Sequence, residues 1–124
     1  MGGNGSKSSG SLEEEKGRRW KTVTVLPNGV KIIELKNPKT ALKQPEESHT
    51  PNSIYGMMYY DGSSLKSLAV FDSECKNVVE IHTNVHKGLG VHYHEWENGR
   101  PISIHPISDN PKWEKLLNET LSYL

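Results

Sequence analysis

Two runs near the start, Lys21 to Leu26 (KTVTVL) and Val30 to Leu35 (VKIIEL), are rich in β-branched residues and flank Pro27-Asn28-Gly29. Proline presets one turn dihedral and Asn-Gly tolerates positive φ, so this stretch predicts a β-hairpin. From Lys36 to Asn52 the apolar residues show no period and three prolines interrupt the chain (Pro38, Pro45, Pro51). The pattern predicts a long loop with a short helical turn around Thr40 to Lys43. Ser53 to Tyr60 (SIYGMMYY) is apolar at both alternating sets of positions, as in a central strand covered on two sides. Leu65 to Phe71 and Asn77 to Thr83 follow across short polar turns, which predicts an antiparallel meander.

Gly88 and Gly90 break the pattern before Val91 to Trp96. In an extended chain, His92, His94 and Trp96 share one face of that run, and Val91, Tyr93 and Glu95 take the other. Asn98-Gly99 predicts a turn, and Ile102 to His105 a short closing strand. The last element reads as a helix: Asp109 or Asn110 can cap it and Pro111 suits its first turn. Trp113, Leu116, Leu117, Leu121 and Leu124 then recur at helical spacing. The predicted fold class is α+β, an antiparallel β-sheet (a meander of about five or six strands) with a packed C-terminal helix.

Composition bounds this picture. Residues 1–17 carry only Met1 and Leu12 as large apolar side chains, so they predict a disordered Gly/Ser/Glu-rich tail before a single α+β domain over residues 18–124. Lys plus Arg and Asp plus Glu number 15 each, and the formal net charge is zero. That excludes a broad electrostatic footprint for nucleic acid and leaves room for a local basic site. The single Cys75 excludes an internal disulfide and a Cys-rich zinc site, in keeping with a reducing compartment. No apolar run approaches the roughly 18 residues of a membrane span, and the expectation is a cytoplasmic protein with no membrane partner.

Five of the six histidines lie between His82 and His105. Three readings of that crowding arise; the last, a binding surface, is the expectation, and the first two are its alternatives. In the first, His92 and His94 bind a metal, zinc by preference, with His82 as the third ligand; His86 and His105 are alternatives for that place. No HExxH spacing or cupin-type carboxylate accompanies them. In the second, His92 and His94 act as acid and base on an RNA phosphodiester without a metal, with His82 and Arg100 as further catalytic candidates. Lys87 or Arg100 would hold the phosphate, and backbone amides at Gly88 and Gly90 would approach the anion. In the third, His86, Lys87, Gly88, Gly90, Trp96 and His105 form a protein-binding surface anchored by the aromatic residue.

Phe71-Asp72, the Lys76 turn, Glu80-Ile81-His82, His86, Gly90, His92-Tyr93-His94, Trp96 and Gly99-Arg100 form a pattern over about residues 68–100. The pattern resembles small prophage-encoded His-rich domains, some at the C-terminus of phage minor head (morphogenesis) proteins and others in polymorphic-toxin-like proteins. This chain has Val91 where that pattern has proline and Cys75 where it has a turn glycine. The morphogenesis relatives imply an accessory protein of a phage or mobile element that binds a host or phage protein through its His/Trp-rich surface, in the bacterial cytoplasm or on the virion. The toxin-like relatives imply a ribonuclease with a histidine acid–base pair.

Overall fold

A computed structural model describes residues 20–35, 44–45, 48–59, 62, 64–84 and 88–124. The expected tail over residues 1–17 and the helical turn at Thr40 to Lys43 lie outside the described residues, as do His86 and Lys87. The chain is an α+β fold: among the described residues, one mostly antiparallel sheet with a single C-terminal α-helix. Its strands are β1 (Trp20–Val25), β2 (Lys31–Leu35), β3 (Ile54–Met58), β4 (Leu65–Phe71), β5 (Asn77–His82), β6 (His92–Glu97), β7 (Arg100–Pro101) and β8 (His105–Pro106). They lie in chain order from β1 to β7, and β8 also pairs with β6. Two of these strands are only two residues long, and Pro101 and Pro106 bring no N–H to the ladder. The expected strand over Ile102 to His105 is therefore replaced by two short pairings, with Ile102 N–H donating to Glu95 O between them.

One pairing departs from a meander. β2 and β3 are parallel, with Ile32 opposite Gly56 and Ile33 opposite Met57. A parallel neighbour requires a long crossover, and the proline-rich stretch between Leu35 and Ile54 provides it. Part of that crossover lies on the sheet, where Gln44, Pro45, Ser48 and Ser53 are buried. Ser48 N–H donates to Cys75 O and Asn52 N–H to Asp72 O, which ties the segment to the β4–β5 turn.

The alternation of each strand divides its apolar residues between two layers. Leu26, Val30, Ile32, Leu65, Leu68, Val79, Ile81 and Tyr93 form one core with Leu117 of α1 (Pro111–Ser122). Trp20, Ile33, Leu35, Tyr55, Met57, Ala69 and Phe71 form the other, on the opposite face. Asn110 caps α1 as its residue type predicts, its side chain accepting from Lys112 N and Trp113 N. The buried stripe runs through Leu117 and Thr120, while Leu121 and Leu124 remain exposed. Asn28 Nδ2 donates to Thr120 Oγ1 at 3.3 Å and pins the helix to the β1–β2 turn.

Turn chemistry sets the registers nearest the histidines. Asn98 and Gly99 have φ of 53° and 78°, the two positive dihedrals of a tight hairpin turn between β6 and β7. At the β4–β5 turn, Asp72 Oδ1 accepts from Glu74 N and Lys76 N, and Cys75 sits at φ 65°, where the resembling pattern has glycine.

Candidate functional site

The second face of the sheet changes character from β1 to β6. Toward β1 it is the apolar layer built on Trp20, Tyr55 and Phe71; toward β6 it carries Ser67, Asn77, Glu80, His82, His92 and His94. Register brings these polar residues together. Ser67 stands opposite His82, His82 opposite His92, and Glu80 opposite His94. Directly opposed side chains lie within contact distance in an antiparallel pair. The face shared by His92, His94 and Trp96 is therefore also the face of Glu80 and His82.

The three imidazoles touch one another. The His82 ring stacks on His92 with centroids 5.5 Å apart, and it meets His94 edge-to-face at 5.3 Å. His92 meets His94 edge-to-face at 5.1 Å. Each ring is oriented by an acceptor. His92 Nδ1 is 2.8 Å from Gly90 O, and His94 Nδ1 is 3.2 Å from Ser103 O. A carbonyl oxygen only accepts, so both Nδ1 atoms carry hydrogen, and in the neutral rings the lone pair is on Nε2. His82 is turned the other way: its Nε2 is 3.0 Å from Glu80 Oε1. The neutral His82 ring thus has its basic lone pair on Nδ1. Asn77 Nδ2 donates to Glu80 Oε2 at 2.7 Å, so both oxygens of this buried carboxylate are engaged.

In front of Glu80, His82 and His94 lies a pocket of about 220 Å³, whose remaining walls are Gln44, Lys66, Ser67, Trp96 and Pro101. His92, 1% exposed, lies behind this opening. Lys66 reaches the pocket through a bulge. Ser67 pairs with Met57 and Leu65 with Met58, so Lys66 is the extra residue of β4. A bulge of this kind re-aims a side chain that strict alternation would send to the other face. Gln44 arrives from the crossover. Its Nε2 donates to Tyr55 O, Ser67 O and Ser67 Oγ at 3.3, 3.2 and 3.1 Å.

Of the residues singled out from the sequence, His82, His94 and Trp96 line the pocket and His92 supports it. Gly90 takes part through its carbonyl rather than an amide, and Gly88 is exposed at φ 78°. Arg100 and His105 do not join them. Arg100 is exposed and pairs with Glu97, one position out of phase with Trp96 and Pro101, so it belongs to the opposite face. His105 pairs with Tyr93, stacks on its ring at 5.1 Å, and lies 3.5 Å from Glu95 Oε1. His86 and Lys87 are outside the described residues. Among the described residues, no group of three or more His, Cys, Asp or Glu side chains is arranged to hold a metal ion. The zinc reading of His92, His94 and His82 thus gains no support from the geometry.

Gln44, Lys66, Ser67, Asn77 and Pro101 are site residues that the sequence does not single out. Glu80 stands in the Glu80-Ile81-His82 pattern, and residues two apart on a strand share a face. Across known proteins, the chain matches no family model, no curated protein and no solved structure. Among the described residues, no helix is long and apolar enough to cross a membrane.

Proposed function

We propose that this chain is a small accessory protein of a phage or mobile element whose pocket cleaves RNA phosphodiester bonds by metal-free acid–base chemistry. The observation that carries the reading is the Asn77–Glu80–His82 series facing a pocket shared with His94. A buried carboxylate behind an imidazole fixes its tautomer and stabilises the imidazolium that forms when the ring takes a proton.

The roles follow from the tautomers. His82 Nδ1 accepts the proton of a ribose 2′-hydroxyl, and the 2′-oxygen forms a bond to phosphorus as the bond from phosphorus to O5′ breaks. His94, protonated on Nε2, delivers its proton to O5′. The products are a 2′,3′-cyclic phosphate and a 5′-hydroxyl, and His82 ends protonated while His94 ends neutral. Their ring centroids, 5.3 Å apart, are close enough for both to serve one phosphate. Lys66 offsets the phosphate charge, and His92 holds the other two rings in place.

The test is incubation of the purified protein with single-stranded RNA and a chelator across pH 5 to 8. Cleavage with cyclic-phosphate ends is expected, with a bell-shaped pH dependence because one ring must be neutral and the other protonated. His82→Ala and His94→Ala should each abolish it. If intact protein leaves the RNA whole at every pH, the reading is wrong.

Trp96 favours a second reading, in which the same face binds a host or phage protein without catalysis. Large, half-buried aromatic residues beside a pocket are common interface anchors. That reading places the protein in the host cytoplasm or on the virion. Loss of a captured partner on Trp96→Ala, in a protein that cleaves nothing, would favour it.

A further inference from the structure

The ladder beside β6 is broken next to His94, and a side chain fills the gap. Trp96 pairs with Pro101 and Tyr93 with His105, so three residues, Ile102 to Ile104, face two, His94 and Glu95. The extra residue interrupts regular pairing there, as in a bulge. Three hydrogen bonds tie the interrupted segment to Glu95. Ile102 N–H donates to Glu95 O at 2.8 Å, and Ser103 Oγ donates to Glu95 Oε1 at 2.9 Å. Glu95 N–H in turn donates to Ser103 Oγ at 3.4 Å. From the position so fixed, the Ser103 carbonyl accepts from His94 Nδ1 at 3.2 Å.

By alternation, the Glu95 side chain lies on the face opposite His94 and the pocket, and it is 53% exposed. We propose that Glu95 and Ser103 are positioning residues for His94, acting through the Ser103 carbonyl from outside the pocket. The inference rests on the ribonuclease reading, in which His94 Nε2 must carry a proton to O5′. A carbonyl that meets Nδ1–H selects the tautomer with its lone pair on Nε2 and sets the direction of the ring. That carbonyl sits in a segment without regular pairing, so its own place depends on the bonds to Glu95. Without them the neutral ring is released to carry its hydrogen on either nitrogen. His105 Nε2 approaches the same Glu95 oxygen only to 3.5 Å, which leaves Ser103 as the nearer partner.

Magnetic resonance of the ring nitrogens separates the two neutral tautomers and needs no RNA. In the intact protein, with its imidazoles neutral, His94 should show hydrogen on Nδ1 and a bare Nε2. Ser103→Ala and Glu95→Ala should each give a mixture of the two forms. Ser103→Thr keeps the hydroxyl and should restore the first form. The double alanine variant should lose no more than either single one, because both remove the same contact. With RNA as substrate, each alanine variant should lower kcat by about 10- to 10²-fold and leave KM nearly unchanged. That split marks a misplaced group rather than lost binding. Circular dichroism would establish that each variant is folded.

The outcomes are distinct. An unchanged His94 tautomer in both alanine variants would overturn the positioning role, and cleavage by the intact protein would leave the acid–base reading standing. A mixed tautomer with unchanged kcat would overturn that role as well. A tautomer that shifts in a protein that cleaves no RNA would support the hold on His94 and overturn the chemistry. A fixed tautomer in the variants, with no cleavage by the intact protein, would overturn both.

Discussion

Glu80 Oε1 and His82 Nε2 meet at 3.0 Å although both belong to the same strand, β5. The contact runs along the strand, between side chains two residues apart on one face, and Asn77 closes it from the other end. The carboxylate is 5% exposed, so little solvent competes for the interaction.

Replacing Glu80 with glutamine keeps the shape of this contact and removes its charge. If His82 is the base, Glu80→Gln should lower RNA cleavage by about 10²- to 10⁴-fold, as when a carboxylate behind a catalytic histidine is made neutral. Binding of a single-stranded RNA with 2′-fluoro sugars, which lack the attacking hydroxyl, should persist. Rate measurements beside circular dichroism would check this. An unchanged rate would rule out His82 as a carboxylate-supported base.

Cys75 occupies φ 65° without the freedom of glycine. Cys75→Gly should stabilise the fold by about 0.5–1 kcal/mol, the balance between relieved strain and the added entropy of the unfolded chain. Cys75→Val, branched at Cβ, should destabilise it. Urea titrations of the two variants against the wild type would show whether the order holds.

Tyr55 is 1% exposed, and burial raises its phenol pKa above the ordinary value of 10.0. The folded state therefore holds the proton more tightly than the unfolded state does. The resulting stability is fully present below the unfolded value and is lost as pH rises from there through the folded value. Unfolding free energy should fall on the alkaline side of about pH 10, and Tyr55→Phe should fall less over the same range. Parallel slopes for the two proteins would contradict the assignment.

The cap of α1 gives a prediction independent of function. Asn110 satisfies the backbone N–H groups of Lys112 and Trp113. Asn110→Ala should cost about 1 kcal/mol. Leu117→Ala, which empties a position 4% exposed between helix and sheet, should cost about 2–5 kcal/mol. Chemical denaturation of both variants would show whether this ordering is right.

What the sequence made legible is what depends on near neighbours. The turns at Pro27-Asn28-Gly29 and Asn98-Gly99, the Asn110 cap and the common face of His92, His94 and Trp96 all follow from residues a few positions apart. Arg100 and His105 were misplaced because their faces depend on pairings beyond the Asn98-Gly99 turn, where prolines break the ladder into two pieces. Lys66 was hidden because a bulge exempts it from alternation. Gln44 had no local signature, since its place is set by strands met only after the crossover.

The parallel pairing of β2 with β3 also bears on how the molecule assembles. Strands β3 and β4 are joined by a short turn, as are β4 and β5, whereas β2 finds β3 only after a long closure. We predict that refolding protects the amides of Leu68 and Ile81 before those of Ile32 and Ile33, with pulsed hydrogen exchange as the measurement and simultaneous protection as the contrary result. On this order His82 gains its neighbours early, and Gln44 reaches the sheet last. A newly made chain would then pass through a stage with its imidazoles gathered and the Gln44 side of the pocket still open.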